Sequence, residues 1–307
     1  MNERYLWDRT GPPDEEIAQL ERTLGSLRYR APVAPRRTIR WPIWFAAATA
    51  AVVCVGIIGA TLARRPLTEW RFDNGHQIRT GQTIETGALH GTRIEARDTG
   101  EVTVERASRL RLIRSRTGEH LFDLKRGTIH AFIWAPAGQF VVDTPSSKTV
   151  DLGCRYTLQV SQNGNGLLTV EMGLVAFERD GAESFIPAGA SCVTRHDRGP
   201  GTPYFADATP ALKTALDRFD TSGDSTSLAD ALAAARPKDA LSLWHLMTRT
   251  KGEKRAAVFD RMAFLVPLPP EANRELILRG DAGALDATWD SLHFGDAAVW
   301  RKWKRQW

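Results

Sequence analysis

The stretch QFVVDTPSSKTVDLGCRYTLQV, Gln139 to Val160, decides how the middle of this chain is read. Its second half places Tyr156, Leu158 and Val160 at every other position, the period of a strand with one buried face. Gly153 and Cys154 mark the bend that launches that strand. The same period holds on both sides. In GEVTVERASRLRLIRS, Gly100 to Ser115, Val102 and Val104 alternate with polar residues, and Leu110 and Leu112 alternate with Arg109 and Arg111. GTIHAFIW and LLTVEMGLVAFE are further short runs, and TGE, KRG, PAG, QNGNG and RDG supply turn chemistry between them. Residues 63–195 are therefore expected to be an antiparallel all-β sandwich or roll.

Outside this region the pattern changes. Residues 196–210 are rich in glycine and proline and read as a linker. From 211 to 307 the helical period returns in six short segments, among them KDALSLWHLMTRT and EKRAAVFDRMAFLV, which predict a C-terminal all-α helical array. The closing WRKWKRQW puts Trp300, Trp303 and Trp307 on one helical face.

Toward the N-terminus, Pro42 to Leu62 is 21 residues without a charge. As a helix it would be roughly 30 Å long, the thickness of a bilayer's hydrocarbon core. A single transmembrane helix is expected over 42–62, with Trp41 and Trp44 at its edge. Lys and Arg number six in residues 22–41 and four in 63–82, which places the N-terminus in the cytoplasm and the larger part outside it. Residues 1–41 then form a cytoplasmic head and spacer. Within it, GPPDEEIAQLERTLGSLRYR reads as a helix: Asp14, Glu15 and Glu16 oppose the dipole, and Ile17, Leu20, Leu24 and Leu27 share one face. So short a head has little room for a private core, and that stripe is the candidate partner-binding site.

The whole chain has 307 residues, 42% of them hydrophobic and 25% charged, with a formal net charge of +5. No basic run or base-reading helix accompanies that charge, so nucleic acid is not an expected partner. No local zinc spacing, phosphate-binding loop, dinucleotide fingerprint or nucleophile elbow occurs, so no metal, cofactor or catalytic residue is assigned. FDTSGDS, Phe219 to Ser225, lacks the alternating acids of a calcium loop and reads as a turn followed by a helix cap.

Three cysteines are present, and Cys54 falls in the expected span. Cys154 as a nucleophile would need a base such as His130 and a carboxylate such as Asp143 or Asp151 beside it, and no spacing brings them together. In oxidising surroundings Cys154 and Cys192 are expected to bridge, stabilising the fold by about 4 kcal/mol. Two free buried thiols are the alternative.

In order and near spacing, GEVTVERASRLRL, FDLKRGTIHAFI, QFVVDTPSSKTVDLGCRYTLQV, LLTVEMGLVAFE and IPAGASCVTR resemble the FecR domain, over Gly91 to Arg195. The head, Tyr5 to Tyr29, is similar to the short acidic helical head of bacterial FecR and anti-sigma-type membrane proteins. Departures are the cysteine at 154, where threonine is usual, a shorter head, and the helical tail. The resemblance implies a bacterial inner-membrane, single-pass regulator that senses a periplasmic or outer-membrane protein and controls an extracytoplasmic-function sigma factor by binding, without enzymatic activity. The competing class is an envelope scaffold or protein-interaction module anchored in the same membrane, without sigma-factor control.

Overall fold

The computed structural model describes residues 15–25 and 69–295. The chain divides into two compact units, 1–63 and 64–307. In the first, α1 (Glu15–Gly25) carries Glu15 and Glu16 in its first turn and Arg22 in its last, the charge order that the helix dipole favours.

In the second unit fifteen strands join into one continuous sheet folded into two layers. Layer A holds β1 (Arg71–Phe72), β3 (Thr92–Ala96), β4 (Gly100–Val104), β9 (Arg155–Val160), β10 (Gly166–Met172) and β13 (Ala190–Arg195), with the short β14 (Gly199–Pro200) and β15 (Tyr204–Phe205). Layer B holds β2 (Thr83–Glu85), β5 (Arg109–Arg116), β7 (Phe140–Asp143), β8 (Lys148–Asp151), β11 (Leu174–Arg179) and β12 (Ala182–Pro187). β6 (Glu119–Ile133) belongs to both. Its first half pairs with β5 and with β7, the latter in parallel, and its second half pairs with β4 and β9.

Gly127 sits where β6 changes layers. Its φ is +99°, and a Cβ there would lie 2.1 Å from the Ser108 hydroxyl, so only glycine fits the crossing. Ser108 uses the space to accept the Thr128 N–H at 3.0 Å. Inside, Trp70 meets Phe122 edge to face at 5.0 Å and Phe140 at 5.7 Å, forming the aromatic centre of the strand core.

Among the described residues six α-helices follow: α2 (Pro210–Ser222), α3 (Ser225–Ala234), α4 (Ala240–Arg249), α5 (Gly252–Leu265), α6 (Arg274–Arg279) and α7 (Ala282–Ser291). Thr209 caps α2 through the Leu212 N–H, and Asp224 caps α3 through the Ser227 N–H at 2.7 Å, which is the turn and cap read from FDTSGDS. The helices lie against the side of β12 that bears Phe185, whose ring meets Trp289 at 5.8 Å and Trp244 at 6.2 Å. Strands and helices share one hydrophobic core.

Three expectations change. Among the described residues no helix is long and apolar enough to cross a membrane. The segment 42–62, on which a single-pass membrane protein with a cytoplasmic N-terminus and a periplasmic C-terminal region rested, lies outside the described residues. The fold class of the described residues is accordingly a large, nearly closed β domain with a C-terminal helical region, and no helix among them supports the expected single membrane span. Residues 196–210, read as a linker, contain β14 and β15, which pair with β13. Residues 63–195 and 211–307, read as separate domains, pack as parts of one unit, because the apolar sides of layer B and of the helices bury each other.

Candidate functional site

Leu20 and Leu24 are one helical turn apart on α1, and their exposure is 59% and 52%. Glu16, Gln19 and Thr23 flank them along a shallow groove. Leucines at this spacing stack into one apolar ridge, which an apolar groove on another protein would bury. Of the other two members of the expected stripe, the Ile17 side chain and Leu27 lie outside the described residues.

The two cysteines of the second unit do not meet; both are free and buried. Cys192 pairs with Leu168 and Leu168 with Leu158, so two strand spacings and the four residues from 154 to 158 separate the thiols. That is roughly 10 Å across the sheet and 13 Å along it. Disulfides tolerate Cα separations of only about 7 Å. The expected Cys154–Cys192 bridge is corrected on this ground. The Cys154 Sγ instead donates to the Leu174 carbonyl at 2.8 Å, and the Cys192 Sγ to that of Gly201 at 3.2 Å.

Neither thiol is activated. Burial pushes the Cys192 thiol up to about 12, and burial, reinforced by the neighbouring Asp151 carboxyl, raises that of Cys154 further. His130 pairs with Thr157 on the outer face of layer A, its Nδ1 lying 2.8 Å from the threonine hydroxyl. Cys154 is on the inner side of the same layer, so the sheet itself separates thiol and imidazole. Asp143 stands opposite Lys148 on layer B.

The interior does hold a polar cluster that the strand pattern concealed. Asp151 accepts the Gly153 N–H at 2.6 Å through Oδ1, while its Oδ2, the Tyr156 hydroxyl and the Thr149 hydroxyl have no hydrogen-bond partner. Burial raises the Asp151 carboxyl to about 7. Among the described residues no group of three or more His, Cys, Asp or Glu side chains is placed to hold a metal ion.

A second polar arrangement joins strands to helices. His245 on α4 accepts the Phe185 N–H of β12 at 2.9 Å through Nε2, and its Nδ1 faces the Leu241 carbonyl at 2.9 Å. Burial first, then the nearby Arg249 charge, pushes this imidazole down to about 3, so it is neutral. Arg249 donates to the carbonyls of Glu183 and Gly201, each at 3.0 Å, and to the Ser184 hydroxyl. Asp220 on α2 accepts the Thr202 N–H at 2.6 Å. These groups attach the helices to β12 and to the segment between β14 and β15. In the sequence they look like ordinary helix residues, and only the tertiary contact distinguishes them.

No protein-family model matches the chain, and no curated protein does. Two crystal structures titled as a "putative anti-sigma factor" from Parabacteroides distasonis ATCC 8503 align with 44% of this chain at 15% identity and a TM-score of 0.37. The chain spans 63% of their length, less than two thirds. Similarity at this level assigns neither function nor partner, and the FecR resemblance rests on its sequence motifs.

Proposed function

We propose that this protein is a regulator that works by holding another protein, with Leu20 and Leu24 of α1 as the anchor and a sigma factor as the partner. The observation that carries the reading is the exposure of both leucines, each more than half open, on one turn-to-turn ridge. Burying a leucine side chain contributes about 1.5–3 kcal/mol. Two of them suit a contact that can form and be released, as control of a transcription factor requires. The FecR-like motifs supply the choice of a sigma factor. The described thiols, buried and held protonated, have no part in this reading.

The test replaces Leu20 and Leu24 together with aspartate in the full chain. Output from promoters served by extracytoplasmic-function sigma factors and co-purification of the sigma factor are measured. Loss of both binding and control is expected, with the melting of the 64–307 unit unchanged. Retained sigma-factor control in the double variant would overturn the proposal and favour a scaffold whose strand-rich unit does the binding.

A further inference from the structure

The outer face of layer A carries an aromatic patch in the second unit. Along β6, Ile129, Ala131 and Ile133 point into the core, so His130 and Phe132 point out, followed by Trp134. Register then sets Phe132 beside Arg155 of β9, and Arg155 beside Met172 of β10. The Arg155 guanidinium lies 4.4 Å from the centre of the Phe132 ring. The Phe132 and Trp134 rings meet edge to face at 5.5 Å, and the Trp134 indole N–H donates to the Arg97 carbonyl at 3.1 Å. Although held in this way, Trp134 is 48% exposed and Met172 49%.

Arg155 has no carboxylate partner among the described residues. A guanidinium stacked on an aromatic face keeps its N–H fork free, pre-oriented for a carboxylate. Exposed tryptophan and methionine with a half-buried phenylalanine around an arginine are the composition of interface centres, not of ordinary surface. The surroundings set the kind of anion. Glu95 and Glu101 stand side by side on the same face, but Arg71 stands opposite Glu95, Arg93 lies 3.6 Å from Glu101, and Glu105 lies 3.2 Å from His130. That border of mixed charge offers no basic surface for nucleic acid or an anionic lipid surface, and it leaves room for one carboxylate at Arg155.

We propose that the Phe132, Trp134, Arg155 and Met172 patch docks a protein segment that carries a single carboxylate between apolar side chains. The segment's carboxylate takes the Arg155 fork, and its apolar neighbours cover Trp134 and Met172. This reading is independent of α1.

The test places the photo-crosslinker p-benzoylphenylalanine at position 134 of the full chain in cells, with position 89 as control, since Leu89 is 83% exposed on the same unit. Crosslinked peptides are identified by mass spectrometry. A defined partner at 134 but not 89 is expected, with an acidic residue among apolar ones at the crosslinked segment. Arg155→Glu should lower that yield about tenfold or more, and Arg155→Lys by less, because lysine keeps charge but loses the fork. Thermal unfolding of both variants should match the parent. No crosslink at 134, the same products at 134 and 89, a crosslink to nucleic acid or to a second copy of this chain, or a yield unaffected by Arg155→Glu would each overturn the proposal.

Discussion

The two layers of the β domain are built from similar strands yet treat their outer faces differently. β9 of layer A alternates between buried and more exposed residues along its length. β12 of layer B ends in four consecutive buried residues, Phe185, Ile186 and Pro187 after Ser184, and β8 has three in a row. Alternation is the mark of a sheet with one wet face, and a continuous buried run is the mark of a sheet covered on both. The cover on layer B is helical, and it includes Trp244, His245 and Trp289. Among the described residues layer A therefore keeps an uncovered outer face, whereas layer B spends its outer face on holding the unit together.

The largest test of this contrast truncates one phenylalanine on each outer face. Phe185→Ala should destabilise the 64–307 unit by about 3–5 kcal/mol, as expected for an aromatic lost from a core. Phe132→Ala, half-buried on the open face, should cost about 1 kcal/mol. Chemical unfolding of the two variants measures both. Equal losses would mean that layer B is not covered in the way described.

Smaller, and of opposite sign at the two sites, are the effects of pH. His245 has a folded pKa of about 3 against an ordinary 6.5, so the unfolded chain binds more protons between those values. Its contribution is present above 6.5 and lost as pH falls toward 3. Asp151 has a folded pKa of about 7 against an ordinary 3.8, so here the folded chain binds more protons. Its contribution is present below 3.8 and lost as pH rises toward 7. Each slope is at most about 1.4 kcal/mol per pH unit. Between pH 3.8 and 6.5 the two oppose each other. Asp151→Asn should expose the loss toward acid, and His245→Gln the loss toward neutral pH, in unfolding curves recorded across that range. Parallel pH profiles for the two variants would contradict the assignments.

The smallest expected effect is on the thiols, which sit on the inner side of layer A at well-separated points. Intact mass should be unchanged by reduction, and an alkylating reagent should reach Cys154 and Cys192 only after unfolding. A two-proton difference on reduction would require a large rearrangement of the β9, β10 and β13 register.

What was legible in the sequence follows from periodicity. Tyr156, Leu158 and Val160 face inward as their spacing predicts, and Leu20 and Leu24 share one side of α1 as helical spacing predicts. Parity alone also places Phe132 on the outer side of β6, since Ala131 and Ile133 are inside. Arg155 and Met172 could not be joined to it in that way, because cross-strand neighbours depend on register, which is a relation between distant segments. The bridge between Cys154 and Cys192 failed for the same reason. Loop length says how much entropy a crosslink would remove, but not how many strands lie between the two residues. Gly199–Pro200 and Tyr204–Phe205 read as linker because two-residue strands have no period.

By itself the sequence determined the kind of the longer strands and helices and which residues of a regular segment share a side. Those properties are local, set by backbone geometry at periods of two and 3.6 residues. Only the tertiary structure decided that the helices cover layer B, that His245 is buried and neutral and accepts a strand N–H, and that Arg155 lies on Phe132. These depend on register and on packing between segments far apart in the chain, where the free energy of burial is shared by partners that no single segment specifies.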